Sequence, residues 1–140
     1  PSPAQMRERC VALNDEVWAV LAQGKVKVSD LSLALYHAGG EEDIDVEMAM
    51  VVADSGGFTE VGRVKLYTLP AVQTMASAVY HGSYDDFGAV GKVYADINQW
   101  ISANGYRVTG SSRELYLRAP ELCKEDPSGI MEIQFPVEKA

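Results

Sequence analysis

The chain is poor in the residues that build metal sites and disulfide frameworks. Its 140 residues include two cysteines, Cys10 and Cys123, and two histidines, His37 and His81. No CxxC spacing occurs, and no group of Cys and His has the spacing of metal ligands. Cys10 falls in a helical pattern, where a small buried hydrophobe is expected, and Cys123 falls in a loop. The sequence therefore predicts no metal site and no cofactor.

Long apolar runs and an excess of basic residues are also absent. No stretch approaches the roughly 20 apolar residues of a membrane span, and no secretory signal pattern opens the sequence. Twelve basic and twenty acidic residues give a net charge of −8, which repels nucleic acid and anionic membranes and attracts cations. We therefore expect a cytoplasmic protein that does not itself contact DNA or a membrane.

The last third of the chain carries the clearest strand pattern. Residues 112–118 and 129–137 each alternate polar and apolar side chains with the period of a half-buried strand. The predicted apolar face holds Leu115, Leu117, Met131, Ile133 and Phe135. The predicted opposite face holds Glu114, Tyr116, Glu132 and Gln134. A carboxylate beside an aromatic ring binds a cation well, although a solvated surface is an equally good explanation of this face.

The first half of the chain repeats this scheme of Leu-Tyr, a loop, and a glutamate between apolar residues. Tyr36 corresponds to Tyr116, and Glu47 corresponds to Glu132. A glycine that ends a predicted helix precedes each tyrosine at a nearly equal distance. These similarities predict an internal duplication.

The order of elements differs slightly between the two halves. The first reads as helix, strand, strand, with a helix at about 4–23 that Ser2-Pro3 caps and Gly24 ends. The second reads as strand, helix, strand, strand, with an opening strand at 63–71, extended residues at 72–81 and a helix at about 85–104. The first half therefore lacks an opening strand.

These patterns predict a single domain, residues 1–140, built from two repeats. A boundary at Ser55-Gly56-Gly57, which combines flexibility with no apolar side chain, gives repeat one at about 1–56 and repeat two at about 57–140.

Several segments of the second half together resemble the GyrI-like small-molecule-binding family. Along the chain they are Leu69-Pro70-Ala71, residues 80–84, residues 100–106, residues 113–117 and residues 131–137. This family includes effector-binding domains of MerR-type and AraC-type regulators. The resemblance implies an α+β fold of duplicated strand–helix–strand–strand repeats with pseudo-twofold symmetry. It also implies a curved antiparallel sheet with helices on one face and a ligand cleft between the repeats.

The resemblance also implies roles for particular side chains. A glutamate at the position of Glu132 is expected at the bottom of an aromatic-walled cleft, where it meets the charge of lipophilic cations. Glu114 is the next candidate acid and Tyr116 a candidate wall. The remaining candidates for ligand contact are Tyr36, Glu47, Trp100, Tyr80 and Met75. Trp100 lies on the apolar stripe of its helix, so core packing is the favoured interpretation of that residue.

Three functions are compatible with this sequence. The first is a receptor domain for lipophilic, often cationic compounds, either the sensing part of a transcription regulator or a free-standing multidrug-binding protein. The second is hydrolysis of cyclopropane-type electrophiles by Glu132, Glu114 and Tyr116. The third is a protein-binding module of the gyrase-inhibitor kind. The expected partners are a small cationic or aromatic molecule and, in the full-length protein, a DNA-binding domain or a second copy of the chain.

Overall fold

The computed structural model of the chain describes residues 5–24, 26–39, 44–54, 56, 58, 60–118 and 128–140. The predicted cap at Ser2-Pro3 and the loop residue Cys123 lie outside these residues. Two compact units form, Pro1–Ala71 and Val72–Ala140. The division therefore falls later in the chain than the predicted boundary at 55–57, because the segment after that boundary lines a cavity with the elements of the first unit.

The first unit contains helix α1 (Met6–Gln23) and strands β1 (Lys27–Gly39) and β2 (Ile44–Asp54). The helix ends at Gly24 as predicted, where the glycine N–H donates to the carbonyl of Leu21 at 3.3 Å. Strands β1 and β2 pair antiparallel. The predicted order of helix, strand, strand is confirmed.

The second unit contains five elements. In chain order they are β3 (Met75–Gly82), α2 (Phe87–Ala103), β4 (Tyr106–Val108), β5 (Ser112–Arg118) and β6 (Gly129–Lys139). Strand β6 is central, because it lies between β5 and β3 and pairs antiparallel with both. It also pairs antiparallel with the short strand β4. With two helices and six strands in the described residues, the fold is α+β, as predicted.

Helix α2 begins and ends at the polar residues that the sequence indicates. The Asp86 side chain accepts a hydrogen bond from the Ala89 N–H at 3.0 Å and caps the helix. Asn104 forms the C-terminal cap, and Gly105 follows with φ of +73°, which lies in the left-handed region that favours glycine. The predicted helix at about 85–104 is confirmed.

The predicted strand at residues 63–71 is wrong. Val64 forms an isolated bridge with Val61, and the residues after it up to 71 have no strand structure. Pro70 has no N–H to donate to a strand ladder, and its ring disfavours continued pairing. The strand that precedes α2 is β3, which falls within the segment predicted only as extended.

The core of the second unit lies between α2 and one face of β3 and β6. Its buried members are Ala76, Tyr80, Ile97, Ile101, Met131, Ile133, Phe135 and Val137. Ile133 is completely buried. Because alternate residues of a strand point to opposite faces, Met131, Ile133 and Phe135 fix which face of β6 is the core face. The predicted apolar face of β6 is confirmed.

The last position of β3 requires a glycine, Gly82, because the backbone there lies close to the side chain of Tyr80. A Cβ at this position would lie 2.5 Å from the Tyr80 Oη and 2.8 Å from its Cζ. The Tyr80 hydroxyl donates to the carbonyl of Ser83 at 2.9 Å, so the ring cannot move without losing this bond. Both constraints make residue 82 intolerant of a side chain.

We expect Gly82→Ala to lower the free energy of unfolding by on the order of 1 kcal/mol, because overpacking displaces a core ring. Gly91→Ala is a matched control, since Gly91 lies in exposed helix and a Cβ there meets nothing within 4 Å. That variant is expected to gain roughly 0.5–1 kcal/mol from helix propensity. Urea unfolding measures both, and equal stability of the two variants would contradict the packing argument.

Candidate functional site

The register between β5 and β6 decides which acidic side chains share a face. Glu114 lies opposite Ile133, Leu115 opposite Glu132, and Tyr116 opposite Met131. Directly opposed residues of an antiparallel pair point to the same side of the sheet. Glu114 therefore points to the core face and Glu132 to the other face.

The prediction that Glu114, Tyr116, Glu132 and Gln134 share one face is therefore wrong. The alternation within each strand was interpreted correctly, but the alignment of the two strands is offset by one residue from the expected alignment. A one-residue offset exchanges the faces of an entire strand. The same offset occurs in the first unit, where Leu35 lies opposite Glu47, so Tyr36 and Glu47 also point to opposite faces.

The pairings of the two units nevertheless match position for position. The leucine before each tyrosine lies opposite the glutamate, with Leu35 opposite Glu47 and Leu115 opposite Glu132. The correspondence of Glu47 with Glu132 drawn from the sequence therefore holds at the level of strand register. By the same register, the first-unit residue that corresponds to Glu114 is the fully buried Ala34, which carries no ionisable group.

Glu114 is the one buried charged residue among the described positions, with 7% of its surface exposed. The Tyr94 hydroxyl donates to its Oε2 at 2.9 Å, and the Tyr116 hydroxyl donates to its Oε1 at 3.2 Å. Burying a carboxylate is costly unless hydrogen bonds replace its water. The two phenols supply such bonds, one from α2 and one from β5 itself.

Two further rings pack against the two tyrosines that donate to Glu114. The Tyr84 ring lies 5.4 Å from the Tyr116 ring, centroid to centroid, and the Tyr84 hydroxyl donates to the carbonyl of Ile130 at 2.8 Å. The Phe135 ring meets the Tyr94 ring edge-on at 5.8 Å. We call Glu114, Tyr84, Tyr94 and Tyr116 the acid–tyrosine cluster.

The phenol of Tyr94 is held in its protonated form. Burial raises the pKa of Tyr94 far above its ordinary value, and the adjacent negative charge of Glu114 and the hydrogen bond to it raise this pKa further. Tyr94 therefore remains a hydrogen-bond donor to Glu114 over the whole neutral and alkaline range.

The acid–tyrosine cluster has the chemistry of a cation site. A positive group beside Glu114 would replace water with a full opposite charge, and the tyrosine faces add cation–π attraction of about 0.5–2 kcal/mol each. Among the described residues, no group of three or more His, Cys, Asp and Glu side chains converges as metal ligands do.

Glu132 occupies a different environment. Its side chain is half-buried on the opposite face of β6, where its cross-strand neighbours are Leu115 and Val79. It makes no side-chain hydrogen bond or ion pair with any residue that the structure describes. The role of Glu132 as the charge partner of a ligand remains a prediction, which a comparison of Glu132 and Glu114 variants tests.

The other sequence candidates are distributed over several places. Tyr80 is a core residue with 9% exposure, and Met75 is half-buried at the start of β3. Trp100 is 51% exposed and stacks on Tyr106, with centroids 5.7 Å apart. Core packing was therefore the wrong interpretation of Trp100. The buried face of α2 is narrower than the apolar pattern of the sequence suggested, and its buried residues are Ile97 and Ile101.

Glu47 lies in the first unit with two hydrogen-bond donors. The Tyr67 hydroxyl donates to its Oε1, and His37 Nε2 lies 2.9 Å from its Oε2. The carboxylate and the imidazole are each a little more than one third exposed. His81 contacts Ser128 through its Nε2 at 2.8 Å. Both histidines are exposed.

A cavity of about 950 Å³ is lined, among the residues that the structure describes, by side chains of the first unit. Its walls are one side of α1, strand β2 and the segment 58–69, and we call it the first-unit cavity. Arg63 in the segment forms a forked ion pair with Glu16 of α1, with N–O distances of 2.7 to 3.0 Å. This guanidinium lowers the pKa of Glu16 below its ordinary value, which ties the segment to the helix at neutral pH.

Sequence reasoning missed Tyr84, Tyr94 and Tyr67 as site residues. Tyr94 offered a signal, because it precedes the buried Ile97 by three residues on the same helix stripe. A tyrosine that faces a core needs a partner for its hydroxyl, so a buried acceptor was to be expected near it. Tyr84 and Tyr67 lie outside regular elements, where periodicity gives no orientation.

Comparisons with known proteins extend these observations. A family model described as GyrI-like small molecule binding domain matches residues 5–138. None of the curated proteins compared with the chain matches it. The crystal structure of the EcmrR C-terminal domain is similar, with 27% identity and a TM-score of 0.78 over 93% of this chain and 82% of that one.

A second similar structure is that of an EcmrR–DNA complex in EcmrR-RPo. It has 28% identity and a TM-score of 0.79, and the match covers 100% of this chain and 51% of that chain. This chain therefore spans about half the length of that relative. Neither helix in the described part of the chain has the length and apolar content needed to cross a bilayer.

Proposed function

Because the chain belongs to the GyrI-like small-molecule-binding family, we propose that it is a receptor domain for lipophilic organic cations. The observation that carries this proposal is the buried carboxylate of Glu114, which two tyrosine hydroxyls hold inside the second unit. Glu114 is the charge partner, and Tyr84, Tyr94 and Tyr116 are the aromatic contacts. Glu132, which the sequence favoured, is the alternative charge partner.

The preference for positive charge follows from the cost of an ionised group in an apolar setting. Two neutral phenols donate to the Glu114 carboxylate and bring no positive charge of their own. A cation balances that charge, while an anion adds repulsion at short range. Selectivity then depends on charge and apolar area and requires little shape-specific hydrogen bonding, which suits a site that accepts several compounds.

A regulatory role belongs to the same proposal. The similar EcmrR structure is a complex with DNA, and its chain is about twice the length that this chain covers. We propose that the present chain is the effector-sensing part of a transcription regulator, in which a separate segment contacts DNA. The net charge of −8 is consistent with a sensing domain that does not itself contact the phosphate backbone.

Two dyes of one shape and opposite charge test the receptor proposal. Rhodamine 123 is a cation, and the methyl ester of fluorescein has the same ring skeleton and a negative charge above neutral pH. In a fluorescence titration we expect rhodamine 123 to bind at least about tenfold more tightly, or ~1.4 kcal/mol. Equal affinity for the two dyes, or no binding of either, would contradict a receptor for cations.

A further inference from the structure

The described residues that line the first-unit cavity all belong to the first unit, whereas the acid–tyrosine cluster consists of second-unit residues. We propose that this cavity is a second small-molecule site, which binds lipophilic amines and other organic cations through Glu47. The proposal does not depend on Glu114, and it assigns to one chain two sites of related chemistry. A sensor with two such sites would respond to its ligand at two concentrations.

The size and walls of the cavity suit a drug-sized ligand. Its volume of about 950 Å³ lies at the upper end of the roughly 300–1,000 Å³ typical of ligand pockets. Apolar walls come from all three elements: Leu13 and Val17 of α1, Met48 and Met50 of β2, and Leu66 of the segment. Methionine side chains adapt their shape easily, so this wall can fit ligands of different outline.

The carboxylates that line the cavity are those of Glu16 and Glu47, and Glu16 is paired with an arginine. The forked ion pair between Arg63 and Glu16 balances those two charges. Lys65 also lines the cavity, but its side chain is exposed, and a hydrated ammonium group interacts weakly with charges nearby. Glu47 is more sheltered, with 37% of its side chain exposed. It is therefore the group most able to select a ligand by charge.

Glu47 is also held in a fixed orientation. Tyr67 donates to one carboxylate oxygen, and His37 contacts the other. Each oxygen keeps a free lone pair, so an ammonium group can still donate to the carboxylate. The Tyr67 ring lines the same cavity and is 53% exposed, so an aromatic side chain lies next to Glu47, where a cation would gain from contact with its face. A preorganised carboxylate beside an open ring needs little rearrangement on binding.

Methionine methyl groups can report on each site separately. Met48 and Met50 line the first-unit cavity, whereas Met131 lies on the core face of β6 opposite Tyr116. With ¹³C-labelled methionine methyls, addition of rhodamine 123 is expected to shift the NMR signals of Met48 and Met50. The Glu47→Gln variant is expected to need about tenfold more dye for the same shift. Asp45→Asn, an exposed acid on the same strand that does not line the cavity, is the matched control and is expected to behave as wild type.

The outcomes separate this site from the one at Glu114. Shifts of Met48 and Met50 that persist in Glu114→Gln and weaken in Glu47→Gln support the second site. If Met131 responds but Met48 and Met50 do not, the second site is excluded and the receptor proposal stands. If Met48 and Met50 respond alone, the second site stands and the role of Glu114 is excluded. Equal dye dependence in wild type and Glu47→Gln would remove Glu47 from the site.

Discussion

Replacement of Glu114 by glutamine is expected to weaken the binding of rhodamine 123 by at least about tenfold, or ~1.4 kcal/mol. Glutamine has nearly the same shape and can still accept from Tyr94 or Tyr116, but it carries no charge to balance a cation. The titration is best made in a Glu47→Gln background, in which the first-unit cavity lacks its carboxylate. Loss of affinity then reports on the second unit alone.

Two further variants make this result specific. Asp96→Asn removes an exposed acid from α2, where Asp96 pairs with Lys92, and it is expected to leave the affinity within about twofold of the starting protein, because exposed charges act weakly at a distance. Glu132→Gln removes the acid on the opposite face of β6 and is expected to cost less than Glu114→Gln. A larger loss from Glu132→Gln would return the role of charge partner to Glu132.

The Tyr94→Phe variant is expected to lower the free energy of unfolding by about 2–3 kcal/mol. It leaves the ring in place but removes the shorter of the two hydrogen bonds to a carboxylate that is only 7% exposed. A hydrogen bond to a buried charged group contributes about 1.5–3 kcal/mol, and the oxygen that loses its donor is not rehydrated in the core. Urea unfolding at neutral pH measures the change, since Tyr94 is then protonated in the folded and unfolded chain alike.

Tyr106→Phe is the matched control for this variant. Tyr106 is half-buried and stacks on Trp100, and its hydroxyl has no hydrogen-bond partner among the described residues. We expect little change in stability for that variant. A double-mutant cycle completes the test, because Tyr94→Phe should cost much less in a chain that already carries Glu114→Gln. Equal stability of the Tyr94 and Tyr106 variants would show that the buried hydrogen bond contributes nothing.

The elements with strong local signals could be predicted from the sequence. Helix α2 has an aspartate cap, an apolar stripe and an Asn-Gly stop, and each of these acts within a few residues of the helix itself. The alternation of β6 likewise identified its core face. Such features depend on neighbouring residues only, so a single sequence contains them.

Strand register could not be predicted in the same way. Each face of β5 was correct by itself, but the offset that places Tyr116 opposite Met131 depends on the connection between the strands and on a bulge after Tyr116. Alternation with a period of two gives no information about this offset. This offset changes the predicted site considerably, because it places Glu114 on the core face and Glu132 on the opposite face.

The partners of the acids were also beyond the sequence. Tyr94 reaches Glu114 across 20 positions in the chain, and Tyr67 reaches Glu47 across the same number. Such contacts are set by how helices and connecting segments pack on the strands. The sequence correctly placed Tyr116 on the same face as Glu114, to which it donates a hydrogen bond. It wrongly placed Tyr36 with Glu47 and Tyr116 with Glu132, because the strand register puts the members of each pair on opposite faces.

The central claim is that the charge of Glu114 gives the domain its preference for cations. The most direct measurement is the ratio of the affinities for rhodamine 123 and the methyl ester of fluorescein, compared between Glu114→Gln and its parent in the Glu47→Gln background. Our account predicts that the preference of at least about tenfold falls to near unity when Glu114 is replaced. A preference that survives the replacement unchanged would contradict it.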